Sequence, residues 1–562
     1  MADAEHPQTR QTALDQLTAP GQPYELETRD IGGYGRRVFK SAPATLRDLY
    51  AQTLSDKTFI VYDEERLTFL ETAALAAKLG HALVHRYGVC RGDRVAISTR
   101  NFPEWVIAFQ AATSVGAIAV ALNALWQADE LEYGLRNCQA KVFVADQERL
   151  DRLAQCEDAP DIPVIAIRAS RHGANAIAFE TLMAETGEVA LPQVDIDPDD
   201  DAIIFYTSGS TGHPKGVIST HRNVISALFS WELDLQAGAL VAGLEPVVPA
   251  SQPATLMAVP LFHVTGCHAV YLQSYRAQRK LVCMYKWDVA QAAALIEQEK
   301  ITSVVAPAAM TGDLVREAQK TDRDLSSLVA LGGGGAPRAP DQVRQIAAFT
   351  KAMPNTGWGM TETNAIGTGI GGEDYLNRPA SSGRCSAVLE LKVVDDDGHA
   401  LPAGARGELL VRGASVFRGY WNRDDLSSTT FEDGWFRTGD VAYLDDEGFL
   451  FIVDRIKDLI IRGGENIGCG TVEAALVLHP KIHEAAVYAV PDDRLGEEVG
   501  ATVYGDAGLD PDEVRDFLGA HLARFEVPKY IHVSPDPLPR IASGKILKRQ
   551  LRDEAARRLA EV

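Results

Sequence analysis

Apolar runs of strand length recur along the chain, each followed by a turn and then a stretch of helical periodicity. Arg94–Ser98 precedes Trp105–Thr113, and Ala202–Tyr206 precedes Arg222–Leu233. This alternation predicts α/β layers built on largely parallel sheets. Trp105–Asn123 carries no charged residue. Gln110, Thr113, Ser114 and Gly116 interrupt it, however, and alanine dominates it, so it falls short of the strongly apolar span a bilayer requires. It reads as a buried helix, a break at Gly116 and a buried strand over Ala117–Leu122. From Leu389 to Val453 the texture changes to short strands with turns at Asp397-Gly398, Asp433-Gly434 and Glu447-Gly448, which predicts a small antiparallel section. A boundary follows near Asp454–Asp458. Beyond it, Glu473–Leu478 reads as a helix and Ala485–Val490 and Val499–Tyr504 as strands. Asp510-Pro511 opens a helix through His521, with the carboxylate as cap and the proline at the first helical position.

At 562 residues the chain is too long for one core, and residues 1–454 and 455–562 are expected to form a large and a small domain. A formal net charge of −22 disfavours nucleic acid as a partner, because an acidic surface repels phosphate backbones. A small anion needs a local gathering of positive charge, and one lies at Arg540, Lys545, Lys548, Arg549 and Arg552, although Lys548, Arg549 and Arg552 read equally well as a solvated helix face. Seven cysteines without a CxxC pair point to free thiols in a reducing compartment, hence a cytoplasmic location. The polar Met1–Arg10 has no apolar segment of the kind a secretory signal carries.

The most informative segment follows the apolar strand Ile203–Phe205. Thr207-Ser208-Gly209-Ser210-Thr211-Gly212-His213-Pro214-Lys215-Gly216 carries three glycines, four hydroxyls and one lysine. Glycine lets backbone N–H groups turn towards a ligand, hydroxyls add donors and Lys215 adds a cation, which together suit a polyphosphate. It is not the P-loop of the Walker type: counting from Gly209, Pro214 stands where a glycine is required, and Gly216 where Ser or Thr should follow the lysine.

This segment resembles the phosphate-binding signature of the adenylate-forming superfamily, which contains acyl-CoA synthetases, peptide-synthetase adenylation domains and firefly-type luciferases. Further similar segments follow in order: Pro260–Gly266, Leu331–Pro337, Gly357–Glu362, Trp435–Asp440, Asp454–Asp458, Arg462–Asn466 and Leu538–Ile546. The resemblance implies an α/β fold. Its large N-terminal domain would hold layered α/β subdomains and a small β-barrel-like section, followed by a small mobile C-terminal α+β domain. It implies ATP, Mg²⁺, coenzyme A and a carboxylic acid as the small-molecule partners. No integral membrane span is expected, and weak peripheral membrane contact and a homodimer both remain compatible.

The same resemblance distributes roles. Thr207, Ser208, Gly209, Ser210, Thr211, Gly212 and Lys215 would hold phosphates. Gly335, Ala336, Pro337, Trp358, Gly359, Met360 and Thr361 would contact the nucleotide, with Trp358 standing where the family usually has Tyr. Glu362 would hold Mg²⁺, a hard cation that prefers oxygen. Asp440 would accept the ribose hydroxyls, with Arg455 beside it and a hinge at Lys457. Gly463, Gly464 and Glu465 would line the thiol tunnel. There the sequence departs from the common Tyr-Pro and reads Ile467-Gly468-Cys469-Gly470. Lys545, Thr207, Glu362 and His263 are the expected catalytic residues, His263 lining the acid pocket.

The activity so implied is acyl-adenylate formation with release of pyrophosphate, then transfer of the acyl group to the thiol. Gly266, Gly333 and Gly335 read as space for a bulky acid, which points to a medium- or long-chain fatty acid, with an aryl acid as the alternative. Loading of a carrier protein, luciferase-like oxygenation and a catalytically silent nucleotide-binding scaffold are the rival activities.

Overall fold

The structure, a computed structural model, describes residues 9–207, 213–244, 249, 251–334, 338, 340–350, 352–463, 465–492, 494–540 and 546–560. The alternating pattern produces two α/β layers. The first is an eight-stranded sheet. Its parallel part runs through Ile118–Ala121, Arg94–Ser98, Val142–Asp146, Val164–Ile167 and Ala176–Ala178. Asp201–Thr207 joins Ile118–Ala121 in parallel, and then the sheet changes sense. Lys215–Thr220 returns antiparallel to Asp201–Thr207, and Gly419–Tyr420 adds antiparallel to its other edge.

The uncharged stretch folds as its pattern predicts. Pro103–Ser114 is a helix, Gly116 takes a φ of +74°, and Ile118–Ala121 is a strand buried throughout. Its Trp105 and Phe109 rings stack at 5.2 Å and Tyr271 meets both edge-on. Phe59, Phe69 and Tyr275 extend this aromatic cluster in a core shared by both layers. Another helix, His221–Val241, is long and apolar enough to cross a membrane, but half of its most apolar window is buried within the molecule.

The second layer contributes parallel strands Thr58–Tyr62, Lys280–Cys283, Ala254–Met257, Ser303–Val305, Ala330–Gly333 and Met353–Thr356. At Thr368–Gly371 the sense again changes, and the sheet continues antiparallel through Gly383–Cys385, Phe449–Arg455, Trp435–Leu444, Gly407–Gly413 and Leu389–Val394. The three turn dipeptides sit at reversals here: Gly398, Asp433, Gly434 and Gly448 all have positive φ.

The C-terminal unit is a five-stranded sheet with helices Cys469–Leu476, Pro511–Leu518 and Lys548–Ala560. Its strands Ile482–Asp492 and Gly496–Gly505 pair antiparallel, with Tyr530–Ser534 parallel to the second. It has its own core, including Ile460, Val472, Val487, Val499 and Leu518. Asp510 caps Pro511–Leu518 by accepting from the Asp512 N–H. That helix stops three residues before the expected His521, after which Leu522 and Ala523 lead into a turn. Lys548 does not stand free in solvent: it pairs with the half-buried Glu473 at 2.7 Å. Arg549 does point outward, with 72% of its side chain exposed.

Candidate functional site

The phosphate-loop candidate is the tip of the antiparallel hairpin. Thr207 and Lys215 are the last cross-strand partners before it. Ser208, Gly209, Ser210, Thr211 and Gly212 lie outside the described residues. Because Gly419–Tyr420 pairs with the same returning strand, Tyr420 sits beside Lys215, whose ammonium is 5.8 Å from the centre of the phenol ring. On the outer side, His213 stacks on Tyr133 at 4.3 Å.

Tyr420 links this hairpin to Glu362. Its hydroxyl donates to Glu362 Oε1 at 2.9 Å, and the Phe417 N–H donates to the Glu362 carbonyl at 2.8 Å. Glu362 lies in the short 3-10 turn Thr361–Thr363, followed by Asn364 and Ala365 in the left-handed region. Only 7% of Glu362 is exposed, and burial pushes its carboxyl above the usual range while the Tyr420 hydroxyl and Arg455 pull it back. Burial and the neighbouring Glu362 also push the Tyr420 phenol up, so it remains a donor at neutral pH. A buried carboxylate penalised for its charge, held at one oxygen by a hydroxyl and beside hydroxyl-bearing Thr361, fits a hard dication that takes carboxylate and phosphate oxygens together.

The third part comes from the register of a hairpin. The turn at Glu447-Gly448 sets Trp435–Leu444 against Phe449–Arg455 so that Asp440 and Arg455 are cross-strand partners. Their side chains form an ion pair at 2.5 Å, with Asp440 buried and Arg455 42% exposed. Behind Asp440, the Thr438 hydroxyl accepts from the Asp440 N–H and donates to the Leu409 carbonyl. Gly439 takes a φ of +71° and gives its N–H to Glu408. The Trp358 indole N–H donates to Asp440 Oδ2 at 2.7 Å. Lys215, Tyr420 and Glu362 therefore form one linked group and Arg455, Asp440 and Trp358 another, close enough for the Arg455 charge to act on Glu362, although together they span four of the separate sequence segments and a strand that no motif singled out.

Sequence reasoning missed Tyr420. It stands 58 residues beyond Glu362, and only the pairing of Gly419–Tyr420 with the hairpin brings it there. It also missed the Trp358–Asp440 bond, because a stacking role for the ring leaves the N–H out of account.

The segment Pro260–Gly266 is pinned by Asn101, whose carboxamide donates to the Val259 carbonyl and accepts from the Leu261 N–H. His263 is half-buried and packs against Phe262 at 4.8 Å. A π-helix, Thr265–Leu272, follows. Its His268 is fully buried, and burial pushes the imidazole down to about 3, so the ring is neutral.

The reading of the pocket glycines as open space is corrected here. A Cβ on Gly266 would lie 2.1 Å from the Pro260 carbonyl oxygen, and one on Gly333 2.2 Å from that of Ala306. Both are glycine because neighbouring backbone already fills the volume. Gly266→Ala is expected to destabilise the fold by about 3 kcal/mol, as overpacking against rigid backbone does, measurable as a lower urea midpoint. Gly335, Ala336 and Pro337 lie outside the described residues. Gly359 and Met360 adjoin Thr361 in the turn that carries Glu362, and a Cβ on Gly359 would meet the Ala365 carbonyl at 2.4 Å.

In the C-terminal unit Lys457 is exposed in the turn Ile456–Asp458, immediately after Arg455. Gly463, at φ +58°, gives its N–H to the Leu495 carbonyl, and Glu465 opens the short strand Glu465–Ile467. Gly464 lies outside the described residues, as does Lys545. The residues flanking the lysine segment are paired: Arg540 bridges to Ile546, and Arg540 forms an ion pair with Glu484 at 2.8 Å. Asp454 accepts from the Gly470 N–H at 3.1 Å, so the Gly468-Cys469-Gly470 departure gives a helix start bonded to the strand Phe449–Arg455. The Cys469 thiol is buried, donates to the Asp458 carbonyl and is pushed up by burial, which leaves it unreactive.

Known proteins resemble this chain along most of its length. Residues 48–421 match the family described as AMP-binding enzyme, and residues 471–545 match the AMP-binding enzyme C-terminal domain. The long-chain-fatty-acid–CoA ligase FadD13 of Mycobacterium tuberculosis is 32% identical over 500 residues, covering 87% of this chain and 93% of the relative. The 4-coumarate–CoA ligase 2 of Oryza sativa subsp. japonica is also 32% identical, over 87% of this chain and 88% of its own. Among solved structures, O-succinylbenzoate coenzyme A synthetase (MenE) from Bacillus subtilis, in complex with ATP and magnesium ion, superposes with a TM-score of 0.76 at 27% identity, covering 90% of this chain and 99% of that one. The two-layer body and the separate C-terminal unit fit these matches: the chain belongs to the AMP-binding enzyme family.

Proposed function

We propose that the protein is an ATP-dependent carboxylic acid–CoA ligase whose N-terminal domain, residues 1–454, binds ATP and acid, and whose C-terminal domain, 455–562, supplies Lys545 and the thiol tunnel. It is an AMP-forming acid–thiol ligase that uses ATP, Mg²⁺ and coenzyme A. The observation that carries the site assignment is the gathering of two linked groups, Lys215–Tyr420–Glu362 and Arg455–Asp440–Trp358, near enough for the Arg455 charge to act on Glu362.

The acid carboxylate is ionised at neutral pH, so it attacks the α-phosphorus without a general base, and pyrophosphate departs with the electron pair of the broken P–O bond. What the protein supplies is position and charge. Lys215 supplies positive charge to the departing phosphates. Glu362 would hold Mg²⁺, which would supply charge neutralisation for the departing pyrophosphate. Asp440 and Arg455 set the ribose. The acyl-adenylate is a mixed anhydride, and the thiolate of coenzyme A displaces AMP from its carbonyl carbon. Presenting first Lys545 and then the Gly463–Glu465 loop requires the C-terminal domain to turn about Lys457 between the two steps.

For the acid, the proposal is a medium- or long-chain fatty acid, supported by the apolar Phe262 and Val264 beside His263 and by the fatty-acid–CoA ligase relative. The backbone-filled space at Gly266 and Gly333, and the equal identity to the 4-coumarate ligase, favour an aryl acid as the second reading. Pyrophosphate release across octanoate, decanoate, palmitate, benzoate and 4-coumarate separates them. A kcat/KM at least tenfold higher for the best aliphatic acid is the expected result, and an aryl acid in first place overturns it. A cytoplasmic location is proposed with it, supported by the free state of all seven cysteines.

A further inference from the structure

We propose that Trp358 is a positioning residue for nucleotide recognition: its indole N–H aims the Asp440 carboxylate at the ribose and thereby sets the preference for a hydroxylated sugar. The inference rests on the ligase reading, and specifically on Asp440 as the ribose acceptor.

The indole is not free to point elsewhere. Its backbone N–H donates to the Thr368 hydroxyl, and its carbonyl accepts from the Thr368 N–H, which fixes the main chain on both sides. The Thr368 hydroxyl in turn donates to the Ser382 carbonyl. The ring lies against Gly367, where a Cβ would come within 2.3 Å of indole Cε3, so only the absence of a side chain lets the plane take this position. Ile366 and Phe417 belong to the same buried cluster. With the ring so held, the N–H edge meets Asp440 Oδ2 at 2.7 Å.

Asp440 needs such a partner. It is 3% exposed, and its opposite oxygen is engaged by Arg455, a long and partly exposed side chain whose guanidinium can shift when a ligand arrives. The indole is the rigid anchor of the two. Holding Oδ2 with a neutral donor fixes the carboxylate plane while leaving its charge, so Oδ1 is presented to an incoming hydroxyl in competition with Arg455. An acceptor held in one orientation discriminates sharply between a sugar that carries the hydroxyl and one that lacks it, because the deoxy ligand leaves the buried acceptor unpaired. A tyrosine in this place has no ring N–H, so it cannot make this bond.

The test uses the full-length enzyme with ATP, 2′-deoxyATP and 3′-deoxyATP in pyrophosphate exchange and in equilibrium binding. Trp358→Phe keeps a flat ring and removes the N–H. The expected result is a rise of about tenfold in KM and Kd for ATP with kcat little changed, as loss of a hydrogen bond to a charged group produces. At the same time the penalty for the worse deoxynucleotide should shrink by a similar factor. Asp440→Ala should erase most of that penalty, and adding Trp358→Phe to it should change little more. Should Trp358→Phe fail to fold, benzothienylalanine at position 358, which replaces the N–H by sulfur, makes the same comparison. An equal loss of ATP and deoxyATP binding would reduce the indole to a packing role and overturn the inference. So would an unchanged discrimination ratio. A wild-type enzyme that neither binds nor exchanges ATP would instead sink the ligase reading itself.

Discussion

Glu362→Gln is expected to lower ATP–pyrophosphate exchange by about a thousandfold while making the protein more stable. The loss follows from removing the buried carboxylate that would hold the dication. The gain follows from the same burial. Because the folded-state pKa of Glu362 is raised above its unfolded value, its favourable contribution is present at low pH and is lost as pH rises through the raised pKa. Above the raised pKa the wild-type chain carries that penalty in full. Glutamine does not ionise and still accepts from Tyr420, so thermal unfolding of the variant should show a gain of about 1 kcal/mol. The gain should open above the ordinary carboxylate range and level off once pH exceeds the raised value. Scanning fluorimetry from pH 4 to 8 beside an exchange assay measures both, in runs of about 0.5 pH steps. Retained exchange would remove Glu362 from the metal site, and a fall in melting temperature would mean that the carboxylate is paired more favourably than its surroundings imply.

The second large effect divides the reaction. Lys545→Ala should depress adenylate formation by about two to three orders of magnitude, because a cation bridging the carboxylate and the α-phosphate acts only where charge develops in that step. Thioester formation from chemically supplied acyl-adenylate should survive. Single-turnover assays of each half-reaction report them separately. Equal loss in both would contradict the assignment of the lysine segment and the Gly463–Glu465 loop to different steps.

Much of this architecture was legible because periodicity and turn chemistry agree over long stretches. Arg94–Ser98, the helix and strand around Gly116, and the turns at Gly398, Gly434 and Gly448 all stand where apolar alternation and glycine place them. The cross-strand meeting of Asp440 and Arg455 was half visible, since the Glu447-Gly448 turn between them implies a hairpin but not its register. Less was legible where an element is defined by its partner. Lys215–Thr220 reads locally as the end of a loop and the approach to a helix, yet it is a strand, because both Asp201–Thr207 and Gly419–Tyr420 offer it hydrogen bonds. Gly266 and Gly333 were misread for a related reason. A missing side chain signals close approach, and the sequence does not say whether a ligand or the protein's own carbonyl is what approaches.

The returning strand Lys215–Thr220 has a further bearing on how this enzyme can diverge. It is bonded on both edges, and it carries Lys215 at its mouth and Tyr420 alongside. The distance between the ammonium and the hydroxyl that steadies Glu362 is thus a property of sheet registry, not of the tip that joins the two strands. Insertions or deletions between the two strands would alter only their connection, while the spacing of the charges along the sheet is inherited unchanged.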